Sequence, residues 1–409
     1  MSELRTSMIG ALLVAVGPIS MAIYTPAMPT LVRAFDTSDA LIKLTLALYF
    51  AGFALTQLIC GPLSDAFGRR KITALFMGLY LLGGLAAVLA PSVGWLLAAR
   101  LLQGIGASVG VATARAIVRD QFVGETSSRI MNSIGIMLAI GPALAPTIGG
   151  FTLALAGWHA IFGVMVILAI AVIGVVLGCM RETTVPDPRL IRPKALLASY
   201  RRIATSRRFL ATGLTLGGST GALYTLATVL PFVLIDRAGL TPMQFGVGML
   251  GQTGMFFLGS VVLKLLSGRI RADRLVAPGL VLIGIGGLSL VASIWLLPVS
   301  YLSIMAPIGF YAFGIAFVMP AMTTAALSQF PDIAGAAAAA LGFVQMGMGL
   351  VGGMFCALIG EPVLATQLVI PCLAILAIAS YVAFLRLPSG PPTEPEPEIS
   401  SVDLVLAER

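Results

Sequence analysis

The chain has 409 residues, 58% of them hydrophobic and only 10% charged, and a mean hydropathy of +1.01. A soluble domain carries about 25% charged residues, so a soluble protein is excluded. The 46 glycines and 24 prolines show no three-residue period and lie inside long apolar runs, which excludes collagen and a disordered chain. The net charge of +8 would point to nucleic acid in a soluble protein. In a chain this apolar it reflects the Lys and Arg that collect in cytoplasmic loops, so the expected partner is a lipid bilayer and not nucleic acid.

A helix needs about 20 apolar residues to cross about 30 Å of hydrocarbon. Apolar runs and their breakers predict twelve such helices, near 8–29, 41–63, 72–91, 95–117, 131–153, 158–180, 209–235, 242–266, 275–297, 301–329, 335–360 and 363–386. Runs such as 81–90 and 161–176 do not alternate apolar with polar, so the spans are helices and not barrel strands. The first follows Arg5 as a signal peptide would, but it is longer than a signal-peptide apolar segment, and an uncleaved helix is expected.

With both termini on the cytoplasmic side, that side receives 21 of the 25 Lys and Arg residues. The outer side receives Arg33, Lys43 and Arg237, and Arg100 falls inside a span. The split predicts both termini cytoplasmic. The expected divisions are a six-helix bundle over 1–180, a polar cytoplasmic loop over 181–208, a second six-helix bundle over 209–386, and a disordered Pro- and Glu-rich tail over 387–409. A constant offset of 200 relates the halves: Tyr24-Thr25 matches Tyr224-Thr225, and Gly68-Arg69 matches Gly268-Arg269. Shared offset at equivalent places favours an internal repeat.

Cys60, Cys179, Cys356 and Cys372 occur singly in or at the ends of apolar segments, with no CxxC pattern, and are read as small core residues. No metal and no cofactor is expected. A membrane-embedded enzyme would need a catalytic cluster, and the sequence offers none.

After the second helix stands Gly61-Pro62-Leu63-Ser64-Asp65-Ala66-Phe67-Gly68-Arg69-Arg70-Lys71. It resembles the G-x-L-x-D-x-x-G-R-[RK] signature of the major facilitator superfamily. The glycines would allow a tight turn and close helix approach, and Asp65 would offer a carboxylate across the contact between halves. A positive-inside loop alone explains Arg69 to Lys71 but not the Gly and Asp spacing. In helix four, Arg100-Leu101-Leu102-Gln103-Gly104-Ile105-Gly106-Ala107 resembles the superfamily's R-x-x-Q-G-x-G-A motif. Its GxG follows no strand, so helix packing and not dinucleotide binding is the reading. An arginine inside a span costs about 2.5–3.5 kcal/mol on insertion scales; by default Arg100 lines a cavity or pairs, and the alternative is snorkelling toward Trp95. Helix five carries Gly141-Pro142-Ala143-Leu144-Ala145-Pro146-Thr147-Ile148-Gly149-Gly150, similar to a motif that marks proton-coupled exporters. The prolines Pro142 and Pro146 would bend it, while Gly149 and Gly150 admit a neighbour, sealing the cavity at the seam between halves.

Helix four ends Arg115-Ala116-Ile117-Val118-Arg119-Asp120. With Tyr24-Thr25-Pro26-Ala27-Met28-Pro29 and Ala143-Leu144-Ala145-Pro146, this resembles the bicyclomycin and chloramphenicol resistance branch of drug:proton antiporters, from about Gly17 to about Arg386. The resemblance implies a monomeric twelve-helix transporter of two pseudo-symmetric bundles in a bacterial inner membrane. It would export drug-like small molecules by alternating access, linked to protons. That branch places Asp two residues before the helix-one Tyr; here the position is Ala22. None of the 17 acids falls deep in a predicted span, and His159 stands beside Trp158 at a span edge. A carrier for an endogenous metabolite without proton coupling therefore stands as the alternative. The substrate-binding candidates are Tyr24, Arg100, Gln103, Tyr224, Tyr311 and Gln345. The gating candidates are Gly61, Asp65, Gly68, Arg69, Arg70, Pro142, Pro146, Gly149 and Gly150. If Arg100 faces the cavity, neutral or anionic substrates are favoured over cations.

Overall fold

The computed structural model describes residues 1–190, 192–267 and 269–388. It is helical throughout those residues, as the apolar runs require, because in hydrocarbon a helix satisfies its own backbone groups. Eleven continuous helices among them are long and apolar enough to span a membrane. One of these, Gly124–Cys179, has 56 residues, about 84 Å at 1.5 Å per residue and far more than one crossing needs. Gly157 breaks it at φ 76°, ψ −179°, into two spans.

The twelve spans are α1 Glu3–Ala34, α2 Asp39–Phe67, α3 Arg69–Val88, α4 Val93–Gln121, α5 (124–156), α6 (158–179), α7 Arg207–Arg237, α8 Pro242–Ser267, α9 Ala272–Leu296, α10 Tyr301–Leu327, α11 Pro331–Ile359 and α12 Pro362–Arg386. The even number of crossings brings the start of α1 and the end of α12 to one face, called here the terminal face; the opposite is the far face. Two large apolar cores form, one mainly of α1–α6 but joined by Ala227 and Phe232 of α7, and the other within α7–α12.

Three spans are less regular than their apolar pattern suggests. The first begins at Glu3, five residues before the predicted start, and passes through a 3-10 turn at Thr25–Ala27 because Pro26 and Pro29 withhold backbone donors. The fourth is interrupted at Ser108, between helical segments Val93–Ala107 and Val109–Gln121. The seventh ends in a π turn at Phe232–Arg237 after Pro231.

The connection 181–208, expected to be a polar loop, contains an amphipathic linker helix, Pro193–Thr205. Its Ile203 is buried, Arg202 forms an ion pair with Asp332 at 2.5 Å, and the Tyr200 hydroxyl donates to the Leu58 carbonyl at 2.5 Å. That carbonyl is the one Pro62, four residues on in α2, cannot bond. Burial pushes the Tyr200 hydroxyl up to about 12, so it keeps its proton for this bond at neutral pH. The linker helix thus touches both halves. Of the cysteines, Cys60 and Cys356 are buried as expected, but Cys179 and Cys372 lie on the exposed surface of the bundle. The predicted disordered tail lies outside the described residues from 389 onward, as does Gly268 of the repeat.

A Cβ at Gly157 meets open space, so its φ alone resists substitution. Gly157→Ala is expected to lower stability by about 1–2 kcal/mol, read by thermal unfolding in detergent. Gly163→Ala, also in open space but without a positive φ, should be neutral or slightly stabilising.

Candidate functional site

Arg100 is completely buried in the first bundle. Its guanidinium carbon lies 4.5 Å from the ring centroids of both Tyr24 and Tyr49. Its Nη1 donates to Gln103 Oε1 at 2.7 Å, and the Gln103 amide approaches the Met165 sulfur at 3.5 Å. The rings are themselves held: Tyr24 and Thr45 hydroxyls bond at 2.6 Å, and Tyr49 donates to the Gly17 carbonyl at 2.8 Å. Tyr80, a residue the sequence reading passed over, bonds Ser20 beside them. Desolvated cation–π contacts are worth about 2 kcal/mol each. Two of them are comparable with the insertion cost of about 2.5–3.5 kcal/mol, so a cation can stay here without an acid. Among the described residues no carboxylate pairs with Arg100, and its Nε and Nη2 have no protein partner. Snorkelling is ruled out in this conformation, and so is direct exposure to a cavity.

Tyr24, Arg100 and Gln103 therefore form one cluster, and the other three binding candidates do not join it. Tyr311 is buried in the second bundle, where its hydroxyl donates to the Gly218 carbonyl at 3.1 Å and ties two helices. Tyr224 is half-buried on α7, its ring 5.6 Å from Phe50 of the first half, and Gln345 is half-buried on α11. The repeat-equivalent Tyr24 and Tyr224 thus occupy different surroundings: one inside a bundle, the other across the seam. Gln57 of α2 meets Gly342 of α11 over the same seam, and its Oε1 lacks a partner.

At the terminal face, Gly68 turns the chain between α2 and α3 at φ 97°, which a side-chain-bearing residue resists. The turn places Arg69, 3% exposed, between two carboxylates. Its Nη1 lies 2.6 Å from Asp65, and its Nε and Nη2 bind Asp120 at the end of α4. Glu182 accepts the backbone N–H groups of Arg69 and Arg70 at 2.8 and 3.2 Å, capping α3. Arg70 donates to the Val176 and Leu177 carbonyls at the end of α6. Asp65 was expected to reach toward the second half; instead its ion pair stays within its own bundle. Close helix approach at Gly61 is also absent, since a Cβ there meets nothing within 4 Å. Asp120 and Glu182 went unassigned in the sequence because their partners lie 51 and more than 110 residues away.

Toward the far face the Pro-Gly motif of α5 does reach the other half. A Cβ on Gly149 would fall 2.2 Å from the Ile23 carbonyl oxygen of α1, and one on Gly150 would fall 2.5 Å from that of Pro242 in α8. The Thr147 hydroxyl donates to the Gly246 carbonyl at 2.9 Å. Pro142 and Pro146 lie inside the helix, and the Pro146 carbonyl faces Gly246. Beside this contact the halves share a cavity of about 440 Å³, lined by Thr30, Leu153 and Trp158 from one and Pro242 and Met243 from the other.

Lys43, counted to the outer side at the edge of the second predicted span, is fully buried within α2. Its Nζ donates to the Gly360 carbonyl at 3.2 Å, reaches that of Cys356 at 3.5 Å, and lies 5.0 Å from the Phe232 ring, all in the second half. A lone lysine at the edge of an apolar run carries no pattern that separates a loop charge from a buried one.

The sequence pattern of the Major Facilitator Superfamily matches residues 10–355. The chain belongs to that superfamily. It is 29% identical over 360 residues to an uncharacterized MFS-type transporter of Bacillus subtilis, covering 85% of this chain and 87% of that protein. Multidrug resistance protein D of Escherichia coli is 28% identical, with 84% and 86% covered. A bicyclomycin resistance protein homolog of Haemophilus influenzae is 25% identical, with 89% and 92% covered. The fold matches a D-xylose-proton symporter at a TM-score of 0.72 and 14% identity, over 94% of this chain and 98% of that one. The expected superfamily and drug-transporter resemblance are thereby supported, and the chain is a transporter-family protein of twelve membrane helices.

Replacing Gly150 tests the contact between halves, because its neighbours are backbone atoms that cannot swing aside. Gly150→Val is expected to separate α5 from α8, seen as a lower yield of cross-link between cysteines placed at Thr147 and Phe245. At the terminal face, Arg69→Met leaves Asp65 and Asp120 without their shared cation. It should cost about 3–5 kcal/mol in thermal unfolding, and Asp120→Asn in the same background should recover part of the loss.

Proposed function

We propose that the chain is a secondary transporter that exports drug-like small molecules by alternating access between its two bundles, favouring neutral and anionic compounds over cations. The observation that carries the charge preference is the inventory inside the spans. Arg100 is buried in mid-helix and Lys43 in the second turn of α2, whereas every acid of the described residues stands at a helix end or in a connection. A cation approaching such a region is repelled by Arg100, which no carboxylate of the described residues pairs, and low-dielectric surroundings strengthen that repulsion. The mainly apolar lining of the shared seam suits amphipathic compounds. The names of the drug-resistance relatives support the same substrate class.

In this reading Asp65, Arg69 and Arg70 control state at the terminal face, and the stretch from Pro142 to Gly150 seals the far face. The concentration of basic residues in the connections of the terminal face supports a cytoplasmic position for both termini, in a bacterial inner membrane. Tyr24, Arg100 and Gln103 act as one electrostatic unit, while Tyr224 and Gln345 meet the substrate. The protein works as a monomer.

Ala22 favours a second reading, an uncoupled carrier for an endogenous metabolite. It is buried two residues before Tyr24, the position where the resembled branch carries an aspartate that could titrate. Purified protein in liposomes separates the readings. Uptake of a phenicol, an organic anion and an organic cation of matched size is followed with and without an imposed pH gradient. The proposal expects the phenicol and the anion to move at least about tenfold faster than the cation, a difference of about 1.4 kcal/mol; preference for the cation contradicts it. Acceleration by the gradient supports proton linkage, and indifference to it supports the second reading. Ala22→Asp is expected to create or steepen the pH dependence.

A further inference from the structure

We propose that Lys43 is a latch that holds the far face of the transporter closed by gripping the C-terminal end of α11. Few arrangements justify a lysine with no exposed surface in a membrane helix. Lys43 answers that requirement entirely with groups from the other bundle: two carbonyl oxygens of α11 and one aromatic face of α7. The last carbonyls of a helix have no intrahelical donor and carry the negative end of its dipole. The Cys356 and Gly360 carbonyls belong to that end, and Gly360, at φ 78°, turns the chain out of the helix so that its carbonyl can be reached. The charge is thus matched to the one part of an apolar helix that attracts a cation.

The same contact is paired with tight packing. Ala47, one turn further along α2, lies where a Cβ on Gly353 of α11 would fall 3.7 Å from its own Cβ, so the two helices run side by side where the latch engages. Parting the halves at the far face would strip Lys43 of both carbonyls and the Phe232 ring at once. The bonds therefore exist only in the far-closed state, which is the property a state-setting residue needs. Asp39 and Glu361 flank this end as the nearest acids on α2 and before α12; Glu361 pairs with Arg237 at 3.4 Å and accepts from the Leu364 amide, which leaves the carbonyls as the lysine's bonding partners.

This inference rests on the alternation proposed above, and its test needs no substrate, so the two can fail separately. Spin labels are placed at exposed far-face positions of the two halves, Pro91→Cys and Leu297→Cys, with Cys179 and Cys372 replaced by alanine. Distances are measured by pulsed electron resonance in lipid nanodiscs. Without the latch, Lys43→Met is expected to raise the ratio of long to short distances by about tenfold, the equivalent of losing one hydrogen bond to a charged group. Lys43→Gln, which retains a donor, should fall between Lys43→Met and the parent. A Lys43→Met protein that melts earlier but keeps the parent distance distribution would show a merely structural lysine and overturn the proposal. If Lys43→Met does not fold, the Gln variant decides by the same criterion.

Discussion

Arg100 stacked between the rings of Tyr24 and Tyr49 is the interaction on which the first bundle depends. Hydrocarbon offers no water to a guanidinium, so the helices around it must supply what water would. Four of them contribute: α1 and α2 the stacked rings, α4 Gln103, and α6 the sulfur of Met165. Each ring is anchored by its own hydroxyl, so moving any of these helices disturbs the cation. The result is a bundle whose interior is bound around one charge as well as by apolar contacts.

Between the bundles the logic differs. The contacts there use backbone carbonyls: Gly150 against Pro242, Thr147 to Gly246, and Lys43 to Gly360. Such contacts are strong when formed, and all but that of Lys43 leave no side-chain charge unpaired when the halves part. At the terminal face, by contrast, the charged groups of Arg69, Asp65, Asp120 and Glu182 are satisfied inside the first bundle. The linker helix supplies a further tie there, through Tyr200 and the carbonyl that Pro62 leaves free. Rigid bundles joined by separable carbonyl contacts are what alternation requires.

Much of the fold was legible because hydropathy follows directly from the bilayer. The spans, the break between halves and the turn at Gly68 all express that constraint. Breaks inside spans, at Thr25–Ala27 and at Ser108, were hidden because the apolar pattern continues through them; at the first, the Ala22 carbonyl that Pro26 cannot bond accepts from the Thr25 hydroxyl of the same span. The site was legible in its chemical types but not in its pairings. Arg100 and Gln103 stand three apart on one helix and could be read together. The stack of Arg100 on Tyr49, the bond of Glu182 to the turn, and the burial of Lys43 depend on contacts across tens or hundreds of residues. The offset of 200 pairs Tyr24 with Tyr224, yet their surroundings differ: Pro26 interrupts α1 just after its tyrosine, whereas α7 runs on as helix to Pro231.

The central claim is that the rings, and not an acid, hold the buried cation. A double-mutant cycle tests it directly: thermal unfolding of the parent, Tyr49→Leu, Arg100→Met and the double variant in one detergent. The account predicts that Tyr49→Leu destabilises the parent by about 2 kcal/mol more than it destabilises the Arg100→Met protein, since the ring then has no charge to face. Equal losses in the two backgrounds would mean that the stack contributes nothing specific to the arginine, and would contradict it.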